Sequence, residues 1–115
     1  MSDDCIFCKI ILCKIQVNIV AETEYALAFR DINPQAPIHV LIIPKEHIAS
    51  CRDINKDNSH YLSKIALLAQ KVAVKEKINA DGYRWVINTG DDGGQTVDHI
   101  HLHLLGGRNM KWPPG

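Results

Sequence analysis

No run of this chain is apolar and long enough to span a membrane, and Asp3 and Asp4 remove the cationic start of a signal peptide. An excess of one charge is missing too: thirteen Lys+Arg balance thirteen Asp+Glu. Split at Asn58, the first part holds six basic and eight acidic residues, the second seven and five. Differences of −2 and +2 make no polycation, which argues against nucleic acid and anionic membrane surfaces as partners. Cysteines number only four (Cys5, Cys8, Cys13, Cys51). Nothing else points to secretion, so reduced thiols in a cytoplasmic protein are expected, with Cys5-x-x-Cys8 as half of a metal site. Repeats, low-complexity tracts and linkers are absent. At 115 residues with 46% apolar composition, the chain is one globular domain over 1–115.

The apolar pattern predicts a short helix over 6–12, strands over 18–22 and 25–30, and a buried strand over 39–43 stopped by Pro44. Between the last two, Asp31-Ile-Asn-Pro-Gln-Ala-Pro37 reads as a rigid loop, because two prolines fix φ and remove amide donors. Leu62, Ile65, Ala69 and Val72 recur at helical steps, predicting a helix over 59–78 capped by residues 57–59 and ended by Asn79 and Gly82. Strands follow over 83–88 and 99–105, flanking a polar glycine loop over 89–98. Short connections without βαβ alternation predict an α+β fold: a five-stranded, mostly antiparallel sheet with one long helix.

What is abundant is histidine, and three of the six fall within five residues. In an extended chain His99, His101 and His103 share one face while Ile100, Leu102 and Leu104 anchor the other. Such a row suits metal ligation, or a nucleophilic imidazole flanked by anion-holding partners. The loop Asn88-Thr-Gly-Asp-Asp-Gly-Gly-Gln-Thr96 favours the second, since its glycines let backbone amides approach an oxyanion and Gln95 and Thr96 add donors. Taken alone, Gly93-Gly94 is only a turn.

His99-Ile-His-Leu-His-Leu-Leu105 resembles the histidine triad pattern. Asp91-Asp-Gly-Gly-Gln-Thr-Val-Asp-His99, Leu104-Leu-Gly-Gly-Arg108, the Trp112-Pro-Pro-Gly115 tail, Phe29-Arg-Asp-Ile-Asn-Pro-Gln-Ala-Pro-Ile-His39 and Cys5-Ile-Phe-Cys-Lys-Ile10 resemble its nucleotide-binding branch across almost the whole chain.

That resemblance implies hydrolysis of purine nucleoside phosphoramidates through a nucleotidylated histidine. By position, His101 is the nucleophile and His103 binds a nonbridging phosphate oxygen. His39 supports the row, although a buried core histidine is an equal reading of it. Asp31 accepts from the ribose hydroxyls, and Ile6, Phe7, Ile10, Phe29 and Ile32 form the purine slot. Asn88 matches a phosphate- or ribose-contacting position, and Gly94, Gln95 and Thr96 match the phosphate-binding loop, the Thr96 hydroxyl steering the leaving amine. The resemblance also implies one structural zinc on Cys5, Cys8, His47 and His99, with no metal needed for the chemistry. It implies a homodimer with one ten-stranded sheet, Trp112 reaching the partner's site. Asp98 departs from the aromatic residue common in relatives. Cys13, Cys51 and His60 show no pattern. A dinucleoside polyphosphate hydrolase stays open, though Leu105 stands where that branch carries glutamine. So do a nucleotide-binding adaptor with incidental hydrolysis and a metalloenzyme using the histidine row.

Overall fold

The run 38–44 has no polar face, so the strand it forms must be covered on both sides. In the computed structural model, which describes residues 4–115, that strand is β3 (Ile38–Pro44), at the centre of the sheet. Two strands precede it, β1 (Ile19–Glu22) and β2 (Ala26–Arg30), and two follow, β4 (Tyr83–Val86) and β5 (Leu102–Gly106). Every pairing is antiparallel, in the order β1-β2-β3-β5-β4. Val40 and Ile42 join Ala26, Ala28, Leu102 and Leu104 under the long helix α2 (His60–Lys75), through Ile65, Leu68, Ala69 and Val72. Leu41 and Ile43 point the other way and join Leu27 and Phe29 under the short helix α1 (Ile6–Ile11). The expected α+β sheet with a long and a short helix is therefore present, and among the described residues no disulfide joins the cysteines.

Several boundaries differ from expectation by a few residues, β4 ending at Val86 rather than at 88, and three of the differences have a visible cause. Helix α2 stops at Lys75, because Lys77 adopts φ +62° and the amides of Lys77 and Ile78 turn back to the carbonyls of Val74 and Ala73. That is a Schellman closure with lysine in the left-handed position usually given to glycine. At its start, Ser59 makes no side-chain cap. The Asn55 carboxamide instead accepts the amides of Asp57 and Asn58, one turn before the helix. Strand β5 begins at Leu102 rather than at 99, since the Ile100 amide leaves the ladder for the Ile48 carbonyl (2.8 Å). Side-chain alternation persists through this stretch: Ile100 packs with Leu102 and Leu104, while the histidine rings face the α1 side.

Candidate active site and metal-ligating cluster

The three histidines of the row meet different neighbours. At His101, Nδ1 lies 2.8 Å from the backbone carbonyl of His99. A carbonyl only accepts, so Nδ1 carries the proton and Nε2 presents a bare lone pair in the neutral ring. The Phe7 ring stands edge-on to His101 with centroids 5.1 Å apart, and the His103 ring lies at 5.0 Å.

A second tautomer follows from the proline loop. The amide of Gln35 donates to Nδ1 of His39 (3.0 Å), which leaves the His39 proton on Nε2. That Nε2–H donates to Nδ1 of His103 (2.9 Å), so His103 carries its own proton on Nε2. This Nε2 is buried without a hydrogen-bond partner, a donor waiting for an acceptor. Burial pushes the His103 pKa down to about 4, helped by His101 and His39, and desolvation likewise lowers His39 against the pull of Asp31. Both rings are neutral at pH 7. Asp31 sits with Oδ2 3.4 Å from His39 Nε2, while its Oδ1 accepts the Asn33 amide (2.8 Å). Arg108 straps the same loop by donating to the Gln35 carbonyl (3.1 Å).

His99 belongs to another cluster. Its Nε2 donates to the Pro44 carbonyl (2.9 Å), which leaves Nδ1 bare and facing Cys5 Sγ (3.4 Å), Cys8 Sγ (3.6 Å) and His47 Nδ1 (3.2 Å). His47 Nδ1 is also 3.2 Å from Cys8 Sγ. A tetrahedral zinc, at about 2.3 Å from sulfur and 2.0–2.1 Å from nitrogen, spaces its ligand atoms about 3.3–3.8 Å apart. The four donors Cys5, Cys8, His47 and His99 fit that geometry and could hold such an ion. Burial lowers the His99 pKa to about 4, against its bond to Pro44, so the ring is neutral as a ligand must be. The carbonyl behind His99 supplies the outer support typical of ligating histidines.

The remaining predicted residues are spread around these two centres. Phe7, Ile10 and Phe29 are buried together, Phe7 and Phe29 edge to face at 5.7 Å. Ile10 and Ile32 line an open cleft of about 780 Å3 with Val17, Asn18 and Ile19, where Ile32 is 96% exposed. In the sequence Asn18 and Ile19 read only as the start of a strand and Val17 as the residue before it. Ile6, Thr96 and Asp98 line a cavity of about 350 Å3 beside Cys5 and His47. Asn88 is half-buried just past β4, and Trp112 is 82% exposed in the single chain. Gln95 is placed unlike its expected role as an anion donor. Its carboxamide donates to the Ala49 and Val97 carbonyls (2.7 and 2.9 Å) and accepts the Gly90 amide (3.0 Å), while the Gly94 amide closes on Asp91. Gln95 thus braces the loop. Gln35 and Pro44 set two of the tautomers through their backbone groups, a role that their side chains do not announce in the sequence.

A histidine row, a braced glycine loop and a proline loop around one antiparallel sheet define a histidine triad protein. Residues 13–110 match the HIT domain, and the chain belongs to that family. An uncharacterised HIT-like protein of Synechococcus elongatus is 50% identical over 115 residues, all of both chains. The purine nucleoside phosphoramidase of Escherichia coli (strain K12) is 46% identical over 110 residues, 96% of this chain and 92% of its own length. A HIT family hydrolase from Legionella pneumophila superposes with TM-score 0.95 at 54% identity, covering 97% of this chain and 100% of that one.

Proposed function

We propose that this chain is a purine nucleoside phosphoramidase of the nucleotide-binding branch of the family, acting through a nucleotidylated His101. Its coarser class is a nucleotide hydrolase, in keeping with the hydrolase and phosphoramidase among its relatives. The observation that carries the finer reading is the pair of tautomers at the centre: a bare Nε2 on His101 beside a proton-bearing, unpaired Nε2 on His103.

In this reading His101 Nε2 attacks the α-phosphorus of a nucleoside 5′-phosphoramidate, forming an N–P bond as the substrate's P–N bond breaks. The leaving nitrogen takes a proton from solvent and departs as the amine, steered by Thr96. Positive charge gathers on the His101 ring, and the Nδ1–H···O=C bond to His99 strengthens as it does. His103 donates to a nonbridging oxygen, and His39 holds that donor in place. Water then attacks phosphorus and gives up a proton to solvent, the His101–P bond breaks to return neutral His101, and the nucleoside monophosphate leaves. Asp31 takes the ribose hydroxyls, Ile6, Phe7, Ile10, Phe29 and Ile32 form the purine slot, and Asn88, Gly94 and Gln95 shape the phosphate side. No step needs a metal.

The proposal further comprises one HIT domain over 1–115 in the cytoplasm, one structural zinc per chain, and a homodimer. Among the described residues no helix is long and apolar enough to cross a membrane. The open β4 edge and its exposed Trp85 favour edge-to-edge pairing into a ten-stranded sheet.

The test is incubation with an adenosine phosphoramidate followed by mass analysis for an AMP adduct on His101. His101→Ala is expected to lose several orders of magnitude in turnover, because the covalent path has no substitute. AMP affinity, measured by calorimetry, largely survives. Near-normal turnover in that variant would rule out the covalent mechanism.

A further inference from the structure

The metal-ligating cluster and the nucleophile share two structural links. The first is His99 itself. Its Nδ1 faces the cluster, its Nε2 donates to Pro44, and its backbone carbonyl receives the His101 Nδ1–H at 2.8 Å. The bond that fixes the tautomer and ring plane of His101 therefore ends on a residue whose own ring is one of the four donors that could hold an ion. The second link is Phe7, placed between Cys5 and Cys8 on α1. Its ring lies edge-on to both His101 (5.1 Å) and His99 (5.8 Å). Helix α1 has only six residues, too few to hold a helix by backbone bonds alone, and its N-cap is the Cys5 sulfur accepting the Cys8 amide. Whatever fixes the two thiols fixes Phe7.

We propose that the Cys5, Cys8, His47 and His99 cluster, when it holds an ion, is a positioning device for the nucleophile. The ion pins the His99 carbonyl behind His101 and the Phe7 ring across it, so that Nε2 is aimed at phosphorus. The ion touches neither substrate nor phosphorus; His99, through which it acts, is a positioning residue, and Phe7 adds this role to its place in the purine slot. This inference rests on the reading of His101 as nucleophile. An aiming error of about 1 Å is enough to slow a reaction about a hundredfold, which makes a remote brace consequential.

The experiment compares zinc-loaded wild-type protein with the same protein stripped by a chelator. Four quantities are read: zinc content, the proton resonance of His101 Nδ1–H in histidine-labelled protein, the single-turnover rate of His101 adduct formation, and AMP affinity. Loaded protein is expected to hold one zinc per chain and show a sharp resonance. Stripping is expected to broaden the resonance and slow adduct formation about 10- to 100-fold, with AMP affinity changed less than about threefold. Added zinc restores both. If the stripped chain unfolds, Phe7→Leu decides the matter, since it keeps all four ligands and is expected to show the same loss of rate and the same broadened His101 resonance with zinc content and fold intact. An AMP affinity within about threefold separates this from the place of Phe7 in the purine slot.

Four results overturn the proposal. They are a chain that takes up no zinc; stripped, folded protein with a sharp resonance and a rate within about twofold; equal losses of rate and AMP affinity; and, where Phe7→Leu decides, a variant at wild-type rate. Loaded wild type that forms no adduct instead defeats the phosphoramidase reading. The resonance alone then decides the positioning role: its loss on stripping supports that role, and its persistence overturns it.

Discussion

At the scale of single residues, function depends on which nitrogen of each ring holds a proton, and backbone groups set this. Asp31 shows how one carboxylate serves two neighbours: Oδ1 is committed to the Asn33 amide, and Oδ2 faces His39 at 3.4 Å. If Oδ2 accepts the ribose hydroxyls, Asp31→Asn removes a charge-assisted acceptor. The expected result is a loss of about 1–3 kcal/mol in ribonucleotide affinity by calorimetry, and a smaller loss for the 2′-deoxy analogue. Equal losses for both sugars would take Asp31 off the ribose.

At the scale of elements, the long helix is held by its apolar stripe and ended by a strained residue. Lys77 at φ +62° closes the Schellman turn, and the following Ile78 packs into the core beneath α2. A lysine there bears the steric cost of the left-handed region that glycine escapes. Lys77→Gly is therefore expected to raise stability by about 0.5–1 kcal/mol in urea unfolding, less what glycine adds to unfolded-chain entropy. Loss of stability would mean that the lysine side chain matters more than the turn. The glycine loop is an element of the same kind, closed on itself by Gln95. There Gly93 has no room for a side chain, since an added Cβ would lie 2.2 Å from the Thr89 carbonyl.

At the scale of the whole molecule, neutral histidines buried beside the sheet make the fold acid-sensitive. His103 titrates near pH 4 in the folded chain, whereas an unfolded histidine titrates near about 6.5. Between these values the unfolded state binds the extra proton, so stability is fully present above about pH 6.5 and falls as pH drops toward 4. Tm is expected to fall by more than about 4 °C from pH 7 to pH 4.5, with a shallower decline in His103→Gln. An identical decline in the variant would remove His103 as a source. The second whole-molecule feature is the uncovered surface at β4. Leu67 and Trp85 are 52% and 42% exposed and line a hollow of about 270 Å3 with Tyr83 and Gln70. The tail is tied only lightly, its Lys111 carbonyl accepting from Arg84 (3.0 Å). A two-fold dimer is expected to cover this face and seat Trp112 at the partner's leaving-group side. Deleting residues 111–115 should then alter leaving-group preference more than AMP affinity. A monomer by light scattering at micromolar concentration would count against the dimer.

What the sequence determined by itself is whatever depends on local periodicity and on ordered motifs. The alternation of Ile100, Leu102 and Leu104 with the histidines placed one set in the core and the other on the opposite face. The stripe from Leu62 to Val72 announced the helix, and the ordered motifs from Cys5 to Trp112 carried the resemblance to the family that residues 13–110 match. Tertiary structure alone decided the rest. The late start of β5 and the inward turn of Gln95 depend on distant backbone partners at Ile48 and Ala49, and the end of α2 on the left-handed turn at Lys77 that brings its own last carbonyls, Val74 and Ala73, into reach. The protonated nitrogens of His101, His99 and His39 are fixed by the carbonyls of His99 and Pro44 and the amide of Gln35, and nearly every residue has such groups. Because backbone donors and acceptors are the same at nearly every position, only folding selects which of them a side chain meets.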